Sequence, residues 1–288
     1  MKLIVDSGST KAAWHVALAP SMSFEIHTRG INPVRDDESV MRQVVEEAGS
    51  LIGSELRSGR ASSLASDVAF SHVHFYGAGC LPQFTAPLIR LLEQVFPAAA
   101  VEVESDLLGA ARALFGHQEG VACILGTGSN SCLYDGRSIV RQTPALGWIL
   151  GDEGSGAVLG RLLVGDVLKG QLPPSLCDAF FQRFGLTQAD IIERVYRQPE
   201  PNRFLASLVP FLAEHIEDAA IHDFVVRAFR SFLRRNVAAY GRRDLPVSFV
   251  GGVASQFEAL LGEAVEAEGF RMGTVLRTPV QAMAAYHN

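Results

Sequence analysis

Two glycine-and-hydroxyl turns, one near the head of each half of the chain, limit its fold more than any other feature. The first, Asp6-Ser7-Gly8-Ser9-Thr10, joins the apolar run Lys2–Val5 to the stretch Ala12–Leu18. The second, Gly126-Thr127-Gly128-Ser129, joins Val121–Leu125 to Ser131–Tyr134. The flanking runs have the length and composition of strands, so each turn lies between two strands. Glycine admits positive φ and lets a ligand come close to the backbone. Successive N–H groups in such a turn form an anion-binding concavity, and the hydroxyls add donors. Either turn alone reads equally well as a plain hairpin. Their recurrence favours a pair of phosphate-gripping loops, one per half.

The elements around the turns repeat as well. The first turn is followed by a strand at Phe24–Thr28, giving a three-stranded meander, and by a helix at Asp36–Leu56. In that helix Val40, Val44, Ala48, Leu51 and Ile52 fall at helical spacing. Val68–Phe75 reads as a strand, Pro82–Val95 as a helix, Val101–Val103 as a strand, and Asp106 opens a helix to about Phe115. The second turn leads through Ser131–Tyr134 and the Asp135-Gly136 hairpin to a strand at Ser138–Arg141. The chain then reads as mostly helical from Gly156 to Arg243. A strand at Val247–Val250, the turn Gly251-Gly252, a helix at Ala254–Glu268, a strand at Arg271–Leu276 and a helix at Val280–Tyr286 follow. The pattern predicts an α/β protein of two domains, 1–115 and 116–288. The second carries a helical insertion at about 156–243, and the last helix is free to pack back on the first domain.

The length of 288 residues, 48% of them hydrophobic, is enough for two moderate cores. Twenty-five basic and 31 acidic residues leave a formal charge of −6, which argues against a nucleic-acid partner. Phosphates would then be held by local backbone dipoles and a metal. No run approaches the ~18 apolar residues of a membrane helix, so no membrane association is expected. The apolar start breaks at Asp6, too early for a secretory signal, and the expected location is the cytoplasm. Cys80, Cys123, Cys132 and Cys177 form no C-x-x-C pair, so neither zinc nor a disulfide framework is indicated. His72 and His74 share one face of a strand without a visible third ligand. The dinucleotide motif and the P-loop pattern G-x-x-x-x-G-K-[ST] are absent.

Four acidic or glycine-rich positions carry candidate chemistry. Asp6, at the mouth of the first turn, can hold a hydrated Mg²⁺ or cap the turn. Asp106 follows Val101-Glu102-Val103-Glu104-Ser105; it can be the N-cap of its helix, a base that accepts a hydroxyl proton, or both. Gly147-Trp148-Ile149-Leu150-Gly151-Asp152-Glu153-Gly154-Ser155-Gly156 places two acids among glycines just before a helix. Such a loop can hydrogen-bond sugar hydroxyls, while a capped helix start accounts for Ser155. Gly251-Gly252 joins a strand to a helix, either as a tight turn or as a flat bed for a nucleoside.

In this order the pieces resemble the N-acetylglucosamine kinase family of the actin-like ATPase and sugar-kinase superfamily, with which the ATPase activators of 2-hydroxyacyl-CoA dehydratases are grouped. The resemblance spans essentially the whole chain. Asp6–Lys11 resembles the first phosphate motif, Glu104-Ser105-Asp106 with Gly109-Ala110-Ala111 the catalytic segment, and Ile124–Asn130 the second phosphate motif. Gly147-Trp148 with Gly151–Ser155 resembles the sugar loop, and Val250–Val253 the adenosine motif. The resemblance implies two actin-like (ribonuclease H-like) domains with a nucleotide cleft between them. It implies ATP and Mg²⁺ as cofactors, a small sugar as substrate, and a homodimer. Asp106 would be the general base toward the sugar 6-hydroxyl, and Asp6 would hold the metal. Gly8, Ser9, Thr10, Lys11, Thr127, Gly128, Gly251 and Gly252 would bind ATP. Asn32, Ser129, Asn130, Gly147, Asp152 and Ser155 would bind the sugar. The chain departs from the family in the serines of its first turn and in a thinner glycine run ahead of Gly147, which bears on the choice of sugar.

Two other functions fit the same scaffold. A dehydratase activator would need cysteine thiolates exposed for a cluster shared between two copies, and no suitable pair stands out. A sugar sensor would need neither Asp6 nor Asp106.

Overall fold

The computed structural model describes residues 1–8, 10–19, 22–58 and 69–287. They form two compact units: Met1–Gly116 together with Pro279–Asn288, and His117–Thr278.

The first unit is built on β1 (Lys2–Ser7), β2 (Lys11–Ala19), β3 (Met22–Arg29), β4 (His72–Gly77) and β5 (Ala100–Ser105). The sheet order is β3-β2-β1-β4-β5. The first three strands are an antiparallel meander, and β4 and β5 run parallel to β1. Three helices connect or follow these strands: α1 (Glu38–Ser58), α2 (Ala86–Val95) and α3 (Asp106–Phe115).

Strand alternation gives this sheet two unlike faces. Leu3, Val5, Trp14, Val16, Val73 and Phe75 point to one face and are buried with Met41, Val45, Ile52, Leu88 and Leu92 of α1 and α2. By the same register the other face carries Lys2, Ile4, Asp6, His15, His72, His74, Tyr76, Glu102 and Glu104. The last helix of the chain, Val280–Tyr286, lies on this face and on α3, with Val280, Met283 and Ala284 against Ile4 and Tyr76. Gly109 allows that approach, since a Cβ there would press on the Tyr76 ring and the Met283 sulfur.

The second unit repeats the topology. β6 (Glu119–Leu125), β7 (Ser129–Asp135) and β8 (Ile139–Gln142) form the meander, and β9 (Pro246–Val250) and β10 (Arg271–Leu276) lie parallel to β6 in the order β10-β9-β6-β7-β8. Between β8 and β9 come α4 (Gly147–Leu150), α5 (Gly156–Leu168), α6 (Pro174–Phe184), α7 (Gln188–Tyr196), α8 (Pro201–Ala206), α9 (Pro210–Glu214) and α10 (Ala219–Phe232). A π-turn at Leu233–Val237 and a 3₁₀ turn at Ala238–Tyr240 extend α10. Then come α11 (Gly252–Gln256) and α12 (Glu258–Ala267), and the helix that returns to the first unit is α13. The core joins Cys123, Leu125, Val247 and Phe249 of the sheet to Leu159, Leu163, Phe229 and Phe232 of the helices.

Three local expectations need correction. Ser105, not Asp106, caps α3: its hydroxyl accepts from Leu108 N–H, and Asp106 is the first helical residue. The helix expected at Ala254–Glu268 is two helices, broken at Phe257, whose buried ring packs near Phe229. Within the Gly147–Ser155 loop, Gly147–Leu150 forms a single helical turn. Val68, expected to begin β4, lies outside the described residues.

Candidate functional site

In the first unit the candidate residues gather at the carboxyl ends of the parallel strands, where open α/β sheets bind ligands. Asp6 pairs with Tyr76 across β1 and β4, and Tyr76 pairs with Glu104 on β5. Asp106 follows directly on β5 as the first residue of α3, where the N-terminal dipole favours its carboxylate. The Leu107 N–H donates to its Oδ1 at 2.8 Å and fixes the carboxyl group. Burial nevertheless pushes Asp106 up to about 6. Asp6 is pushed up to about 7, first by burial and then by the negative charges of Asp106 and Glu25. An acid whose affinity for protons is raised by burial and by a neighbouring carboxylate is also a place where a cation is welcome.

The turn after β1 is tied to the Asn32 loop. Gly8 N–H donates to Lys11 C=O at 3.0 Å and Gly30 N–H to Thr10 C=O at 3.1 Å. A Cβ on Gly30 would overlap the Gly8 carbonyl, so the close approach needs glycine. The buried Ser7 hydroxyl donates to Ile31 C=O (3.1 Å) and accepts from Ile31 N–H (2.8 Å). Asn32 is thereby hung from β1. Its N–H donates to Asp36 Oδ2 (2.8 Å), its Oδ1 accepts from Val34 N–H (3.1 Å), and Gly79 leaves room for its amide. Thr10 and Lys11 are exposed at the start of β2. Ser9 lies outside the described residues.

In the second unit the turn after β6 is backed by α5. The carbonyls of Gly126 and Thr127 accept from Gly156 N–H (2.8 Å) and Ala157 N–H (3.0 Å). The N–H groups of Thr127 and Gly128 find no backbone acceptor among the described residues, as an anion-binding turn requires. Asp152 stands against the same turn: a Cβ on Gly128 would meet its Oδ2 at 3.0 Å, and the Ser129 N–H lies near enough to its carboxylate to favour the ionised form. Burial raises Asp152 from the ordinary carboxylate range, with that N–H opposing the shift. Asp152 has φ 51°, a left-handed conformation for a non-glycine residue. Asn130 Oδ1 accepts from Ser131 N–H and from Gln142 Nε2. Ser155 is fully buried and caps α5 by accepting from Val158 N–H at 3.3 Å, so its hydroxyl supports the site rather than facing a ligand. Gly147 is exposed at φ 73°. Gly251 has φ 131°, and a Cβ there would overlap the Leu125 carbonyl; Gly252 is exposed at the start of α11.

The structure thus joins Asp6, Asp106 and the Gly8–Asn32 loops in one unit, and Thr127, Gly128, Ser129, Asp152 and Gly251 in the other. Sequence reasoning missed the supporting groups Ser7, Gly30, Gly79, Thr143, Glu153 and Asn236. Ser7, within the first glycine turn, and Glu153, beside Asp152, lay inside segments already singled out, and Gly30 lay two residues before Asn32. Cys80, Cys123 and Cys132 are buried, and burial pushes their thiols up. Among the described residues no group of three metal-ligating side chains occurs and no helix is long and apolar enough to cross a membrane.

No family model matches the chain, and no curated protein does. Solved structures do. A candidate N-acetylglucosamine kinase from Porphyromonas gingivalis is 48% identical, with 100% of this chain and 98% of that one covered at a TM-score of 0.92. Another from Chromobacterium violaceum is 18% identical over 100% and 98% of the two chains, with a TM-score of 0.73. A ROK family glucokinase from Streptomyces griseus, in complex with glucose and AMPPNP, is 16% identical over 99% and 97%, with a TM-score of 0.53. The last two show likeness of fold.

Proposed function

The chain belongs to the N-acetylglucosamine kinase family of actin-like sugar kinases, and from that premise we propose that it transfers the γ-phosphoryl group of ATP to the 6-hydroxyl of an amino sugar, first of all N-acetylglucosamine. The observation that carries this reading is the half-buried Asp106 carboxyl at the head of α3, raised to about 6 and near a second raised acid, Asp6. A base whose affinity for protons is lifted toward neutrality is suited to take a hydroxyl proton as the bond to phosphorus forms. The sugar oxygen attacks the γ-phosphorus, the bond to the ADP oxygen breaks with its electron pair leaving on ADP, and the proton passes to Asp106.

Asp6 is the residue that would hold Mg²⁺, through water. The donor set fits: the Asp6 carboxylate with that of Asp106 nearby offers the one or two carboxylates that a hydrated Mg²⁺ takes. When bound, the ion would neutralise charge on the phosphate oxygens. Gly8, Thr10, Lys11, Thr127 and Gly128 would contact the phosphates, with Gly251 and Gly252 against the nucleoside. Asn32, Asn130, Gly147 and Asp152 would hydrogen-bond the sugar. Cys80, Cys123 and Cys132 are buried, and the one partly exposed cysteine, Cys177, falls short of the four thiolates that two copies would have to supply to a shared iron–sulfur cluster, which disfavours the activator reading.

The test is a coupled ADP-release assay against N-acetylglucosamine, glucosamine, N-acetylmuramic acid and glucose, on the wild type and Asp106→Asn. Release that depends on an amino sugar and falls about 10²-fold or more in the variant supports the proposal. Undiminished turnover in the variant removes Asp106 as base; release with glucose alone removes the amino sugar.

A further inference from the structure

The loop that carries Asp152 is anchored at both ends to one irregular stretch of helix. At its start, the Thr143 hydroxyl donates to the Asn236 carbonyl at 2.8 Å, and the Thr143 N–H donates to Tyr240 Oη at 3.0 Å. At its end, Glu153 receives the Asn236 amide on Oε2 at 3.2 Å and Arg235 Nε on Oε1 at 2.5 Å. Asn236 also donates to Phe232 C=O at 3.2 Å. Tyr240 in turn shares a 2.7 Å hydrogen bond with the buried Ser131 hydroxyl of β7. Between the anchors Leu146, Ile149 and Leu150 stand 56%, 66% and 69% exposed, so apart from Trp148, which packs on the core, the middle of the segment has little packing of its own.

The residues at the hub lie in the π-turn at Leu233–Val237. A π-turn is less stable than the regular helix and recurs at functional sites. Here it sets Arg235 and Asn236 toward the loop that Tyr240, in the 3₁₀ turn that follows, also holds. The loop needs such support, because Asp152 holds a left-handed φ of 51°. A non-glycine residue in that region persists only where its surroundings over-determine it. Gly154, at φ 72°, rests directly on Phe232 and Phe229 of α10.

We infer that Asn236, together with Arg235 and Thr143, positions the 144–152 segment and thereby fixes the Asp152 carboxylate for the sugar. The inference rests on the proposed kinase reading for what Asp152 touches, but the anchoring itself does not. Arg235 is 63% exposed and its ion pair is screened by solvent, so it is the minor partner. Asn236, which serves both ends of the segment, is the major one. These are positioning residues: they act on the sugar through the loop, while the carbonyls of the phosphate turn are held by α5.

Two measurements on Asn236→Ala and Thr143→Val separate the alternatives. Without ligand, hydrogen–deuterium exchange of a peptide spanning 144–152 is expected to quicken about 10-fold in both variants, with the melting temperature within a few degrees of wild type. With ATP and N-acetylglucosamine, the KM for the sugar is expected to rise about 10-fold in Asn236→Ala, while the KM for ATP and kcat stay within about 2-fold. Arg235→Lys, which keeps the charge, is expected to stay near wild type in both. Unchanged exchange at 144–152, or equal rises in both KM values, overturns the inference. Absence of sugar-dependent turnover in the wild type overturns the kinase reading instead, and the exchange data still decide whether the anchoring is real.

Discussion

At the residue scale, what distinguishes Asp106 is its surroundings. A first-turn aspartate on an exposed helix would sit low, drawn down by the dipole and the Leu107 N–H. Burial wins here and leaves it at about 6. A base must be ionised to accept a proton, so activity is expected to fall as pH drops through that value. The profile of kcat/KM against pH should show an acid limb near 6, since it reports groups of the free enzyme. A flat profile from pH 7 down to 5 would contradict the assignment. Ser7 works differently: it touches no reacting atom in the proposed scheme, yet two hydrogen bonds to Ile31 make it the peg on which Asn32 hangs.

At the scale of elements, α13 is the most informative. It covers the charged face of the first sheet, and the residue that follows it, His287, is stacked on His74 at 3.6 Å and hydrogen-bonded to Tyr76 Oη at 2.7 Å. Its backbone carbonyl takes the Lys2 ammonium. His74 bonds Glu102 at 2.8 Å, and Arg112 of α3 donates to both Tyr76 Oη and Glu102. Burial first, then the neighbouring His74, lower His287 to about 4. Glu102 is lowered to about 2, chiefly by its bond to His74. A histidine held neutral contributes stability that is complete above its ordinary value of 6.5 and is lost as pH falls toward 4. A carboxylate held ionised contributes stability present above 4.5 and lost toward 2. Both act in the same direction, so acidification is expected to loosen α13 ahead of the rest of its unit. Amide exchange across 280–286, corrected for intrinsic rates, should accelerate between pH 7 and 4.5, and His287→Gln should flatten that dependence. Equal acceleration in wild type and variant would show that His287 is not the titrating group.

At the scale of the whole molecule, the two units share a strand order, yet the chain does not divide at one point. Unit one is completed by residues that follow the last strand of unit two. Val280, Met283 and Ala284 are its lid over Ile4 and Tyr76. A chain ending at Thr278 is therefore expected to lose about 10 °C or more in the calorimetric transition of the first unit, from several lost core side chains. The transition of 117–278 should stay where it was. An unshifted first transition would mean that α13 adds nothing to that core.

The sequence by itself determined the local grammar. Alternation and turn residues marked β10 and α13 to the residue, and both glycine turns were legible because glycines and hydroxyls between two strand-like runs leave a compositional trace, although Gly8, Gly126 and Gly128 do not take the positive φ that glycine admits. Asp6, Asp106 and Asp152 could be named for the same reason, each standing where a strand or loop gives way to a helix or turn. Tertiary structure decided which of these groups meet and in what state. It set Asp6 near Asp106 across a hundred residues of chain and pressed Asp152 onto Gly128 and Ser129. It also chose the anchors of the Asp152 loop from a π-turn that no periodicity announces. The reason is physical: backbone preference and side-chain period act over a few residues, whereas burial, which raised these carboxyls, exists only once distant segments have packed together.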